Sequence, residues 1–185
     1  MTQPITAAFL IKTLNLEPLP QEGGYFRQTF VADEAVAADG LPTRYETARS
    51  LCTAIYFLLS TDDCSAMHRL DTDEVYHFYA GDPLELLLLH PSGQSELVTL
   101  GIDFAAGQRP QFVAPRGSWQ GSRSQAGGTH GFTLVGTTMA PAFDWAGFEL
   151  GDEAALVTQF PHVADLIRAR FPQNKNETRR GKGIC

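Results

Sequence analysis

The chain has 185 residues, 43% of them hydrophobic and 19% charged, with a formal net charge of −7. This is the size and composition of one globular domain with a sizeable core. The acidic balance excludes a general nucleic-acid binder, which needs a basic face to displace counterions, and no apolar run approaches the roughly 18 residues of a membrane span. Residues 1–10 lack the basic start and long apolar middle of a signal peptide. The three cysteines (Cys52, Cys64 and Cys185) are odd in number, widely spaced and free of any Cys-x-x-Cys pair, which reads as reduced thiols in a cytoplasmic protein.

The pattern predicts a helix over residues 6–14. Ala7, Leu10, Ile11 and Leu14 recur at helical spacing, Thr6 can cap the start, and Pro18 and Pro20 forbid continuation. The Gly23-Gly24 pair permits an unusual backbone turn, and residues 25–31 alternate as a strand. Glu22, Tyr25 and Arg27 read either as ordinary surface positions or as pocket residues. Residues 32–46 are polar and loop-like, with an Asp39-Gly40 turn signal. The mostly apolar run 50–59 has no helical caps and predicts a strand buried on both faces.

From Glu74 a further strand is predicted, in which Glu74, Tyr76 and Phe78 share one face and Val75, His77 and Tyr79 the other. If Glu74 points into a barrel, His77 points outward, to packing or an interface. Residues 84–90 and 96–100 form a pair of strands around a Pro91-Ser92-Gly93 turn. Residues 111–114 lead into a tight corner at Pro115-Arg116-Gly117, Trp119 and Gln120 open the next strand, and 132–139 form a long β-branched one. This strand-turn spacing of about ten residues is an all-β signature, and 17 glycines and 11 prolines suit it. Residues 140–148 are expected to leave the barrel. Helices follow near 152–159 and 161–171, the second with Val163, Leu166, Ile167 and Phe171 on one face. Residues 173–185 are polar and basic and are expected to be a disordered tail beyond a single domain of residues 1–172.

Two stretches carry chemistry. The first sets His68 six residues before Glu74 and Gly81 seven after it; the second runs Gly107…Pro115-Arg116-Gly117-Ser118-Trp119-Gln120. Together they resemble the two motifs of the cupin superfamily. Leu70 stands where the first motif has its second histidine, and Gln120 where the second motif has its own. Glu22-Gly-Gly-Tyr25, His68-Arg69, Asp73-Glu74-Val-Tyr-His77, Ala80-Gly-Asp-Pro-Leu-Glu-Leu86, Pro115-x-Gly-x-Trp119-Gln120 and Leu134-Val-Gly…Ala140-Pro-Ala-Phe143 are similar to one cupin group catalogued as a domain of unknown function. That match covers about residues 5–170. The resemblance implies an all-β double-stranded β-helix, the cupin jelly roll, with short helices at both ends. It also implies a homodimer and a likeness in shape to dTDP-4-dehydrorhamnose 3,5-epimerases.

A cupin metal centre presents three histidines and a glutamate to one divalent ion. Here His68, Glu74 and Gln120 would be the ligands if a metal bound, two strong donors and one weak, and tight sites supply at least three. The expectation is therefore no cofactor, or at most a weakly held divalent metal. The metal-free alternative is general acid–base catalysis, with His68 as base, Glu74 as its partner, and Tyr76 or Tyr25 as acid. Arg27, Arg69 and Arg116 are candidate anchors for an anionic ligand, Gln120 a further ligand contact, and Trp119 a pocket wall. The function expected is a small-molecule-binding cupin, first a metal-independent isomerase- or epimerase-like enzyme acting on a sugar or sugar-nucleotide-like ligand, with a non-catalytic metabolite binder or a weakly metal-dependent cupin enzyme as the alternatives.

Overall fold

The computed structural model describes residues 4–172; the expected disordered tail, 173–185, lies outside the described residues. Helix α1 (Ala7–Leu14) starts where Thr6 Oγ1 accepts a hydrogen bond from the Phe9 N–H at 3.2 Å, and it ends at Asn15 in the left-handed conformation. Strands follow in chain order: β1 (Glu17–Pro18), β2 (Tyr25–Val31), β3 (Ala35–Val36), β4 (Arg49–Ser50), β5 (Thr53–Ser60), β6 (Cys64–Leu70) and β7 (Glu74–Gly81). After these come β8 (Leu84–Leu89), β9 (Ser95–Leu100), β10 (Gln111–Ala114), β11 (Trp119–Ser124), β12 (Phe132–Met139) and β13 (Phe148–Leu150), then helices α2 (Glu153–Gln159) and α3 (Ala164–Arg168).

Two antiparallel sheets face each other. One has six strands in the order β1-β2-β5-β12-β7-β10, the other five in the order β13-β6-β11-β8-β9, and a small β3-β4 ladder lies apart. Between the sheets Phe57, Leu59, Tyr76, Leu84, Leu86, Leu88, Val98, Leu100 and Val135 form the core. Strand β8 shows why its sequence carries no alternation. Leu84, Leu86 and Leu88 enter that core, while Leu87 and Leu89 on the opposite face pack under α2 and α3 with Met67, Leu156, Phe160 and Ile167. Each fully buried leucine contributes roughly 1.5–3 kcal/mol. A second cover, α1, lies over Leu58, Phe132 and Leu134 on the outside of the six-stranded sheet.

The fully buried Arg170 ties the C-terminal cover down. Its guanidinium donates to the carbonyls of Gly121 at 2.9 Å, Leu166 at 2.8 Å and Glu85 at 3.1 Å. Burial lowers its pKa to about 10, still leaving it charged at neutral pH.

Four details depart from the sequence reading. The loop at 32–46 contains the β3 strand and a short 3₁₀ turn at Ala38–Gly40. Residues 64–70 form β6, a strand hidden in the sequence because both of its faces are covered and no alternation survives. The last helix is broken into a 3₁₀ turn at Pro161–Val163 followed by α3, though Ile167 and its neighbours still face the core. The segment after residue 140 does not leave the barrel for good, since Phe148–Leu150 returns as an edge strand on β6.

Candidate functional site

The site is built where β6, β7 and β11 bring one residue each to the barrel interior. Antiparallel pairing sets Gln120 opposite His68, and Glu74 enters from β7 in the facing sheet. His68 and Gln120 are each only 2% exposed. The Gln120 amide nitrogen lies 3.0 Å from His68 Nε2 and 2.6 Å from Glu74 Oε2, so one NH2 group joins both. His68 Nδ1 lies 2.8 Å from the Ala66 carbonyl, which can only accept. Those partners assign the proton to Nδ1 and leave Nε2 as acceptor from Gln120. The Phe148 ring stacks on His68 at 5.3 Å between centroids.

A cavity of ≈ 280 Å³ opens beside this triad, lined by His68 and Glu74 together with Glu22, Gln28, Thr53 and Thr137 as its other polar groups. Phe26, Ile55, Leu70, Met139, Phe143 and Trp145 form most of its apolar wall. Trp145, 48% exposed, stands against both Phe143 and Phe148 at the rim. The segment carrying Phe143 and Trp145 is pinned at several points. The Phe143 N–H donates to Thr53 Oγ1 at 3.0 Å, and the Asp71 N–H donates to the Gly147 carbonyl at 3.1 Å. Buried Arg49 pairs with Asp71 Oδ2 at 3.0 Å and reaches the Ala142 carbonyl.

Glu22 is the residue whose place depends most on backbone conformation. Gly23 has φ +100°, and a Cβ there would sit 2.5 Å from the Cys64 carbonyl oxygen. Only glycine permits that approach. It lets the Ala66 N–H bond the Glu22 carbonyl at 2.8 Å and the Ser65 hydroxyl donate to Glu22 Oε1 at 2.7 Å. The residue as a whole is half-buried, but its carboxyl is desolvated. Desolvation raises its pKa; the nearby Glu74 charge adds to this, and His68 and the Ser65 hydroxyl only partly oppose it. The Tyr76 phenol is raised well above its usual value, first by burial and then by Glu74 and Glu22, so it stays protonated.

The structure brings together only part of the expected residue set. His68, Glu74 and Gln120 meet, but only His68 and Glu74 line the cavity; Gln120 holds them from behind the lining, and Tyr76, expected in the cavity, lies in the core below with its hydroxyl toward Glu74. Five others lie off the cavity. Tyr25 packs outward against α1, and Arg27 donates to the Leu14 carbonyl at the surface. Arg69 pairs with Glu149 and lies over the Trp119 ring on the outer face, where Trp119 packs beneath the C-terminal helices. The Arg116 side chain is exposed at the turn, where only its backbone N–H is engaged, with Asp73.

The reason is the two-residue period of a strand. Arg69 adjoins His68, Trp119 adjoins Gln120, and Tyr25 and Arg27 flank Phe26, so none of the four can share the inward face. Sequence reasoning left Glu22 open and missed Phe26, Gln28, Phe143, Trp145 and Phe148. The same alternation run backward from Phe26 and Gln28 would have found those two; nothing local marks the other three. His77 points outward as expected, contacting Gln111 and Thr138.

A cupin-type metal would have to be held by His68, Glu74 and Gln120, and these residues do not fit one. The Gln120 NH2 group sits between His68 Nε2 and Glu74 Oε2 and turns donors, not a lone pair, toward the position a cation would need. Leu70 supplies an apolar wall at the position of a further ligand. Among the described residues no group of three or more His, Cys, Asp or Glu side chains is arranged to hold a metal ion.

A two-sheet antiparallel barrel with a buried polar cluster from its first and second motifs defines a cupin. The profile of one family in that class, described as Cupin superfamily (DUF985), matches residues 8–151, and the chain belongs to this family. The chain resembles a Shewanella oneidensis protein of known crystal structure at 35% identity, covering 91% of this chain and 99% of that one, with a TM-score of 0.79. A hypothetical protein from Leishmania major is similar at 31% identity, covering 91% and 100%, also with a TM-score of 0.79. An uncharacterized Saccharomyces cerevisiae protein is 25% identical over 132 residues, 68% of this chain, and the match spans 65% of the yeast protein's own length. Among the described residues no helix is long and apolar enough to cross a membrane.

Proposed function

We propose that this chain is a small-molecule-binding cupin whose cavity works without a metal. The observation that carries this reading is the Gln120 amide joined to both His68 and Glu74 beside an open, largely apolar cavity. His68 and Glu74, held from behind by Gln120, are a fixed polar floor, and the rings of Phe26, Phe143 and Trp145 grip the ligand body. Chelator-treated protein should bind a small aromatic probe such as 2-phenylethanol or 2-phenylethylamine in calorimetry. A strict requirement for added Mn²⁺ or Zn²⁺ would overturn metal independence.

An isomerase is the second reading, and Glu22 favours it. A carboxyl with a raised pKa in an apolar cavity suits proton exchange with a ligand better than His68, whose Nε2 is engaged by Gln120. Phosphate-bearing sugar nucleotides are disfavoured as substrates, because none of the arginines expected to hold them lines the cavity. Exchange of ligand protons with deuterated solvent, lost in Glu22→Gln, would support turnover.

For assembly, we infer a homodimer through the uncovered part of the six-stranded sheet. Phe30, Ala54, Thr138, Val75 and Val113 lie side by side across five strands with no charge among them. A self-complementary pairing of such a row suits a two-fold axis, burying at least about 1,200 Å² in total. A monomer in sedimentation at micromolar concentration would contradict this. The free Cys52 and Cys64 thiols are in keeping with a cytoplasmic location.

A further inference from the structure

The cavity carries an electrostatic asymmetry that the family assignment does not address. Two carboxyl side chains, Glu22 and Glu74, line it, and no lysine or arginine is among the residues that do. The buried guanidinium of Arg49 does not line the cavity; it is held by Asp71 and lies over the Tyr45 ring. His68 has both ring nitrogens engaged within the protein, Nδ1 with the Ala66 carbonyl and Nε2 with Gln120. Behind the lining, Gln120 Oε1 is buried and has no hydrogen-bond partner, although the same side chain's nitrogen is engaged by both His68 and Glu74. An unpartnered buried acceptor of this kind calls for a donor. The rings of Phe26, Phe143 and Trp145 are part of the wall, with Phe143 and Trp145 meeting as a T-shaped pair, and a ring face exposed there attracts a cation.

From this convergence we propose that the ligand is an organic cation: a protonated amine or amidine on a small apolar body, its head between Glu22 and Glu74 and its body among Phe26, Phe143 and Trp145. The inference rests on the reading of the cavity as a ligand site and deepens it by naming the ligand class. Each element has a separate physical role. The paired carboxylates accept charge-assisted hydrogen bonds from the N–H donors of the head. The aromatic rim adds cation–π attraction, which strengthens as water leaves. An anionic ligand would face both carboxylates with no lysine or arginine lining the cavity to offset them, and is rejected by repulsion.

The test uses a matched set sharing one apolar body: 2-phenylethylamine, 2-phenylethanol and phenylacetate, titrated into the full chain at neutral pH by calorimetry. The amine should bind at least about tenfold more tightly than the alcohol, and phenylacetate most weakly. In Glu22→Gln and Glu74→Gln that preference should shrink toward equality while alcohol binding is retained; retained alcohol binding shows that each variant keeps its cavity. Alcohol or phenylacetate binding as tightly as the amine would overturn the inference and leave the ligand-site reading standing. No binding by any of the three at millimolar concentration would overturn both. A preference for the amine that survives both substitutions would overturn the placement of its head between the carboxylates.

Discussion

Two acidic side chains in this barrel meet opposite environments. Asp82, at the turn after β7, is 3% exposed and enclosed by donors. The backbone N–H groups of Thr129, His130 and Gly131 and the His130 ring all converge on its carboxylate, at 2.8–3.2 Å. Glu22 receives one side-chain donor, the Ser65 hydroxyl, and otherwise faces an apolar cavity and a second carboxylate. Burial alone would raise the Asp82 pKa, but the donors from His130, Gly131 and Thr129 together outweigh it and hold the value below the usual range. For Glu22 desolvation prevails and the value rises. Comparable chemistry thus acts as a structural clamp where the chain supplies its own donors. Where it does not, the carboxyl is left for something else to satisfy. Perturbed carboxyls in cavities are where function concentrates.

The comparison can be broken most severely at Asp82. Asp82→Ala removes the acceptor for three backbone amides at once and should cost roughly 2–4 kcal/mol, read as a lower melting temperature, while the affinity of the cavity for a probe is unchanged in the surviving fold. A neutral substitution there would mean that the donor nest contributes nothing to stability. Stability that depends on Asp82 should be present above its unfolded pKa of about 3.9 and be lost as pH falls through the lower folded value.

Next in size is His68→Ala. It should weaken probe binding at least about tenfold with the fold retained, because the Gln120 amide loses its anchor at the cavity floor. Unchanged affinity would place the ligand elsewhere.

The smallest effect has the opposite sign. With its folded pKa raised, Glu22 costs stability as pH rises from the unfolded value near 4.3 through the folded value, and nothing below both. Glu22→Gln should therefore melt higher than the natural chain at neutral pH, with the difference closing near pH 4. A variant that is less stable at pH 7 would show Glu22 to be a structural group like Asp82.

Much of the fold was legible because its signals are local. Thr6 and the spacing of Ala7, Leu10, Ile11 and Leu14 specify α1, and the alternation from Glu74 fixes which residues of β7 enter the barrel. The centre of the site was legible too, since His68, Glu74 and Gln120 sit in spaced motifs. The aromatic rim of the cavity was not. Trp145 and Phe143 reach the cavity through a segment pinned by Thr53 and by Asp71, contacts between residues some 75–90 positions apart that no window of sequence displays. The arginines misled for a plainer reason: adjacency in a motif was given more weight than the two-residue period, which turns each neighbour of an inward residue outward.

The most direct test is to follow the side-chain carboxyl resonances of Glu22 and Asp82 by NMR through a pH titration, assigned with Glu22→Gln and Asp82→Asn, with and without 2-phenylethylamine. The account predicts that Glu22 titrates above the ordinary glutamate range and Asp82 below the ordinary aspartate range, and that the amine lowers the Glu22 value while leaving Asp82 unmoved. A Glu22 that titrates at or below its ordinary value, or that does not respond to the amine, would contradict it.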